Sequence, residues 1–169
     1  MQFEYDWNSP NRLNGICRED NIYYFADGMN QFIYFYEEES QISGKLCGKP
    51  ECNHDDRNCN AYIGRGEAET LQTYDGKLYV VGEGGVLYRM NLDGTERENV
   101  MSLRYGNSNL GIAIHRDYVY AEQLNVEMEK GVQTYTTTFY QYVLGDEESA
   151  KELYTWSSTQ GFVRALWIL

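Results

Sequence analysis

The sequence predicts an all-β fold made of antiparallel sheets, of the kind that forms the blades of a β-propeller. Three observations lead to this prediction: 16 tyrosines and 16 glycines against only 2 prolines, a short aromatic motif that recurs along the chain, and polar turns between the recurrences. Aromatic residues suit the half-buried surface of a strand, and glycine allows the positive φ angles of tight turns.

The recurring motif is an apolar residue followed by tyrosine near the start of a predicted strand. It occurs three times, as Ile22-Tyr23, Leu78-Tyr79 and Val119-Tyr120. The strand that follows has a further tyrosine in each unit: Tyr34, Tyr88 and Tyr140. We predict that the members of each set are equivalent, in units of four strands joined as a meander. Tyr79 and Tyr120 are 41 residues apart, which matches the period of about 40–50 residues in propeller blades.

These units divide the chain into an N-terminal extension, residues 1–14, and a partial propeller, residues 15–169. The predicted blade units cover residues 15–65, 70–108 and 110–158, and residues 161–169 are similar to the opening strand of a fourth. The third unit has an extended hairpin at residues 122–133, which we expect to be exposed.

The first unit contains an insertion, residues 47–62. From Cys47 to Leu71 is 24 residues, whereas the corresponding step from Met101 to Ile112 is 11. Three of the four cysteines and one of the two histidines lie in this insertion, and Cys17 lies on the first strand of the same unit.

Two chemistries fit the cysteine-rich insertion. Thiolates and an imidazole are ligands of structural Zn²⁺, and the candidate metal ligands are Cys47, Cys52, His54 and Cys59. Four cysteines can equally form two disulfides with three connectivities. Because the spacing lacks the C-x2-C pairs of common zinc sites, we expect disulfides among Cys17, Cys47, Cys52 and Cys59 and no cofactor, with structural zinc as the alternative.

The net charge of −12 argues against nucleic acid as a partner and disfavours binding to anionic lipid. No apolar run is long enough for a membrane span, and the first residues lack the features of a signal peptide. The sequence has no nucleophile elbow and no phosphate loop, so we assign no catalytic or cofactor-binding residue.

The cysteine-rich segment from Leu46 to Tyr62 resembles a motif of uncharacterised β-propeller proteins that are secreted or lipid-anchored in Gram-positive bacteria. The segment from Leu87 to Thr95 resembles the blade repeat that these proteins share with TolB-like propellers. The resemblance implies an extracellular or cell-surface protein and no known activity.

We therefore expect a non-catalytic extracytoplasmic propeller that binds a protein or glycan or serves as a scaffold. The alternative is a carbohydrate- or peptide-active enzyme whose site is completed by further blades. Because three blades leave open apolar faces, we expect the remaining blades or a second copy to cover them.

Overall fold

The computed structural model describes residues 15–27, 31–64, 70–104 and 110–161. In these ranges the protein is all-β, with twelve strands in three four-stranded antiparallel sheets and a short 3₁₀ turn at Glu83–Gly85. The predicted extension at residues 1–14 and the predicted fourth-unit strand at residues 162–169 lie outside the described residues. No helix in the described part of the chain is long and apolar enough to cross a membrane.

Each sheet is formed by four strands that are consecutive in the chain and neighbours in space. Sheet I contains β1 (Ile16–Glu19), β2 (Ile22–Asp27), β3 (Phe32–Glu37) and β4 (Ile42–Lys45). Sheet II contains β5 (Leu71–Tyr74), β6 (Lys77–Val81), β7 (Val86–Asn91) and β8 (Glu98–Ser102). Sheet III contains β9 (Leu110–His115), β10 (Tyr118–Glu129), β11 (Val132–Val143) and β12 (Asp146–Ser158). The predicted meander of four strands per unit is confirmed.

Two-residue turns explain why the strands fold back where they do. Asp75 and Gly76 both have positive φ angles, 47° and 67°, between β5 and β6. Lys130 and Gly131 do the same between β10 and β11, with φ angles of 50° and 82°. This backbone matches the twist of the flanking strands, and glycine adopts it without steric cost.

The strand pairing tests the predicted equivalence of the tyrosines. Tyr34, Tyr88 and Tyr140 occupy equivalent positions, because each pairs with the residue that follows the central tyrosine of its neighbouring strand. The equivalence of Tyr23 with Tyr79 and Tyr120 is wrong. The hairpins close at Glu19–Ile22, Tyr74–Lys77 and His115–Tyr118, so Tyr24 is the counterpart of Tyr79 and Tyr120, and Tyr23 is the counterpart of Leu78 and Val119.

The sheets pack face to face in chain order, with one hydrophobic core at each junction. The core between sheets I and II is formed by one face of each, with these fully buried residues among its members: Cys17, Tyr24, Ile33, Leu78, Val80 and Met90. The core between sheets II and III joins the other face of sheet II to sheet III, again through buried residues: Tyr79, Val81, Leu87, Val119, Ala121 and Tyr142. Sheet II is therefore apolar on both faces.

Polar contacts repeat at the same place in both junctions. In sheet I, the backbone of Thr73 in sheet II acts on the Cys17 thiol and opposes the rise in its pKa that burial causes. In sheet II, Gln72 occupies the position of Cys17, and its amide forms two hydrogen bonds with the backbone of Ile114 in sheet III. Ile114 occupies the position of Thr73, so the geometry of the first junction recurs in the second.

The face of sheet I that points away from sheet II carries a ladder of aromatic rings. Phe25 stacks on Tyr34 with ring centroids 5.5 Å apart, and Tyr23 lies 6.3 Å from Tyr36. No described sheet packs on this face, and Tyr36 retains 36% of its accessible surface. This outer face of sheet I is equivalent to the face of sheet II that packs against sheet I.

Candidate functional site

The cysteine loop, residues 46–63, leaves β4 and lies at the junction of sheets I and II. Its ends are held to sheet I by backbone hydrogen bonds, from Leu46 N to the Ile33 oxygen at 2.9 Å and from Ile33 N to the Ala61 oxygen at 2.8 Å. On the other side, the Asn60 amide donates to the oxygen of Gly94 in the β7–β8 turn at 2.8 Å. The loop therefore connects two sheets.

This loop brings the four candidate metal ligands together. One ligand atom from each of Cys47, Cys52, His54 and Cys59 lies within 4.8 Å of the other three. The Nδ1 atom of His54 is 3.6 Å from the sulfur of Cys59. Cys59 is buried and the other three residues are half-buried. Three sulfur atoms and one nitrogen atom at this spacing could hold a metal ion.

Backbone amides surround the sulfur atoms. The amide of His54 donates to the sulfur of Cys52 at 3.4 Å, Lys49 contributes a backbone hydrogen bond to Cys47, and Ala61 contributes one to Cys59. Each of these amides lies two residues after its cysteine. Since an N–H donor favours a negatively charged acceptor, the loop backbone stabilises thiolates at the cluster.

The pKa values of two of these thiols move in opposite directions. Burial raises the pKa of Cys47, but hydrogen bonds from the backbone of Lys49 and Asn60 and from neighbouring thiols outweigh it and lower the pKa to about 7. Burial raises the pKa of Cys59 to about 12, although the Ala61 amide acts against this rise. The cluster therefore contains one thiol that readily ionises beside one that resists ionisation.

Three cationic side chains hold the carbonyl groups of the cysteine loop. The ammonium group of Lys45 donates to the His54 oxygen and lies 3.9 Å from the centre of the Phe32 ring. Lys49 donates to the Asn58 oxygen at 2.8 Å. Arg97 donates to the carbonyl oxygen atoms of Asn60 and Tyr62.

Arg97 is the most distant of these cations in the sequence, since it lies in the β7–β8 turn, 37 residues after Asn60. Its guanidinium group is also 4.0 Å from the centre of the Tyr88 ring, and burial lowers its pKa. Sequence analysis missed Lys45 and Arg97 because no local pattern marks a cation that binds a distant carbonyl group.

All four cysteines are free thiols in this structure, and the disulfides that we expected among them from the sequence stay a prediction. The position of Cys17 bears on which of the four can pair. Its side chain is 1% exposed in the core between sheets I and II, and burial raises its pKa to about 12. Cys17 is not part of the four-ligand cluster, so the three clustered thiols can form one disulfide among themselves and leave one thiol over.

No known protein family and no curated protein sequence matches the chain. Among solved structures, one similar chain belongs to a Saccharomyces cerevisiae complex of a Dbp5 variant bound to Nup159, a Gle1 variant, IP6 and ADP. The TM-score is 0.41 and the identity 6%, over 83% of this chain and 29% of that chain. Another is the computationally designed protein Ika8, with a TM-score of 0.39 and 10% identity, over 84% of this chain and 49% of that one. This chain therefore spans less than half the length of either.

Proposed function

We propose that this chain is a non-catalytic segment of a β-propeller that works as a binding or scaffold module, and that its cysteine loop holds a structural Zn²⁺. The observation that carries the proposal is the closed set of four protein ligands, Cys47, Cys52, His54 and Cys59, at the junction of two sheets. Structural zinc sites have four protein ligands, whereas catalytic zinc sites leave one position open for water or substrate.

The donor set and its surroundings favour zinc among the common metal ions. Soft thiolate ligands select zinc, copper(I) or iron over magnesium and calcium, and an imidazole ligand also suits zinc. Three thiolates and one Zn²⁺ together carry a single negative charge. The cationic groups of Lys45, Lys49 and Arg97 on the loop carbonyls would offset this charge.

The position of the loop explains why a metal ion there would act as a structural element. Cys47 directly follows Leu46, whose backbone abuts Gly94 of sheet II, and Cys59 is followed by Asn60, which bonds to the same glycine. Linking Cys47 to Cys59 through one ion would fix the loop against both sheets. Most of the inserted residues between them are exposed and polar, so a metal ion would supply the fixing contact that buried packing does not.

The propeller assignment is supported by the stacking of the sheets. Three four-stranded meanders pack face to face in chain order, and the contact from Cys17 to Thr73 recurs in that from Gln72 to Ile114. Repetition of one junction is the principle on which a propeller is built. The partner that we propose for the aromatic face of sheet I, on which no described sheet packs, is a further blade or a second copy of the chain.

The ligand of such a module is a protein or a glycan in our proposal, and its location is extracellular or at the cell surface. Both parts depend on the resemblance of the Leu46–Tyr62 segment to secreted propeller proteins. The acidic composition, with a net charge of −12, is consistent with a partner other than nucleic acid.

The zinc site is tested by metal analysis of the 169-residue chain purified without oxygen and without chelating resin. We expect one equivalent of zinc per chain and a lower melting temperature after chelation, because structural zinc contributes to folding free energy. We expect His54→Ala to lose most of the bound zinc. The matched control is His115→Ala, which changes the other histidine, at the end of β9, and should retain the full equivalent.

A chain that contains no zinc, and whose melting temperature does not change on addition of zinc, would contradict the metal site. Equal zinc content in His54→Ala and the native chain would exclude His54 as a ligand.

A further inference from the structure

Metal binding and disulfide formation are both possible in the cysteine loop, because both use the same thiols. We propose that the cysteine loop is a redox switch, in which hydrogen peroxide converts the metal-binding form into a form with a Cys47–Cys59 disulfide. This inference depends on the proposed zinc site. The switch would make zinc binding at that site depend on hydrogen peroxide.

The access of solvent to the cluster differs among its sulfur atoms. Cys47 and Cys52 are half-buried, whereas Cys59 is 1% exposed. A small oxidant therefore reaches Cys47 or Cys52 from solvent more readily than Cys59. The sulfur atoms of Cys47, Cys52 and Cys59 all lie within 4.8 Å of one another. Cys47 and Cys59 stand at the two ends of the cysteine loop, and we take them as the pair that closes.

The reaction balances with peroxide as the only oxidant. The Cys47 thiolate attacks one peroxide oxygen, the O–O bond breaks, and hydroxide leaves, so that Cys47 becomes a sulfenic acid. The Cys59 thiolate then attacks the Cys47 sulfur and displaces a second hydroxide as the S–S bond forms. Two thiolates lose two electrons in total, and one peroxide is reduced to two hydroxide ions.

The remaining ligands explain the effect on the metal site. After the disulfide forms, only Cys52 and His54 remain as donors, and two ligands bind zinc far more weakly than four. The loop itself remains attached, because the hydrogen bonds of Lys45, Lys49 and Arg97 are made to carbonyl groups and not to the sulfur atoms. Reduction would therefore restore the zinc site in place.

The test uses the zinc-loaded 169-residue chain, treated with hydrogen peroxide in the presence of the chromogenic chelator pyridylazoresorcinol. We expect release of the bound zinc, a fall from four to two free thiols after denaturation, and a Cys47–Cys59 crosslink in the peptide mass map. Dithiothreitol should restore zinc binding. The control Cys17→Ser should release zinc at the same rate, because Cys17 lies outside the cluster.

The outcomes separate the two proposals. Bound zinc that peroxide does not release, or release accompanied by sulfinic acid without the Cys47–Cys59 crosslink, would overturn the switch and leave the zinc site intact. A chain that never binds zinc would overturn both. Cys52→Ser provides a second check, since it retains both sulfur atoms of the pair and should still form the crosslink with peroxide.

Discussion

Two tyrosines buried in neighbouring cores differ in what their hydroxyl groups contact. Tyr24 is 0% exposed, its hydroxyl has no hydrogen-bond partner among the described residues, and burial raises its pKa to about 12. Tyr142 is 1% exposed, but its hydroxyl accepts a hydrogen bond from the Arg104 amide at 3.0 Å. A comparison of the two tyrosines therefore separates what a hydrogen-bonded hydroxyl contributes to the free energy of unfolding from what the buried ring contributes.

Tyr24→Phe should leave stability unchanged or raise the free energy of unfolding by about 1 kcal/mol, because it removes a buried polar group that has no partner. Tyr142→Phe should lower the free energy of unfolding by about 1–2 kcal/mol, because it leaves the Arg104 amide unpaired. Urea denaturation of both variants measures the difference. A larger loss for Tyr24→Phe than for Tyr142→Phe would show that the Tyr24 hydroxyl has a partner after all.

At the scale of the elements, the β7–β8 turn is fitted closely to the cysteine loop. Gly94 in this turn has a φ of 77°, and a Cβ atom there would lie 2.7 Å from the carbonyl carbon of Leu46. Gly84 has a similar φ of 74°, but a Cβ atom there would have nothing within 4 Å. The two glycines share a backbone conformation and differ in their surroundings.

Gly84→Ala should cost about 1–2 kcal/mol of stability, the usual penalty for a left-handed non-glycine residue. Gly94→Ala carries the same penalty and should cost a further 1–3 kcal/mol or so, because the new methyl group must displace the backbone of Leu46. Comparison of the urea midpoints of the two variants gives the extra cost directly. Equal midpoints would mean that the loop moves away from the turn without loss.

The strands were predictable from the sequence because turns and aromatic content mark them independently. The predicted equivalence of the tyrosines was wrong only in the first unit, where several consecutive residues are aromatic. Tyr23, Tyr24 and Phe25 are all aromatic, so alternation cannot tell which of them faces sheet II, and the hairpin closure at Glu19–Ile22 decides it.

The cysteine loop was predictable in part. Its candidate ligands are marked by residue type and by the length of the insertion. The location of Cys17 bears on which cysteines can pair, and strand content alone does not reveal that this thiol points into the core between two sheets. The contacts of Arg97 depend on the stacking of sheet II on sheet I, which no local pattern encodes.

For the whole molecule, the aromatic face of sheet I is the feature that bears on assembly. Its counterparts on sheets II and III are covered by the preceding sheet, whereas no described sheet covers the face of sheet I. Large apolar faces are rarely left open on soluble monomers. We expect the 169-residue chain to associate as its concentration rises, by burying this face.

Tyr36→Glu should weaken this association, because it places a charge in the aromatic ladder. Met128→Glu adds the same charge at the tip of the β10–β11 hairpin, where the side chain is 67% exposed, and should not. Light scattering over a range of concentrations measures both. A native chain that stays monomeric and unfolds cooperatively would show that three sheets suffice alone.

The side chain of Gln72 limits the order in which the four-stranded units can follow one another in the chain. Its amide imitates a peptide group and continues the hydrogen bonding of β5 onto β9, whereas the equivalent positions hold a thiol in sheet I, Cys17, and a methyl group in sheet III, Ala113. The three units have the same strand order but different side chains at the position of Gln72. These side chains therefore favour one order of the units along the chain. Exchanging whole units would preserve each sheet but would place these side chains opposite the wrong neighbouring sheet. We therefore expect a chain of three copies of the second unit to form the same Gln72-type contact at each junction, and a chain with transposed natural units to lose it.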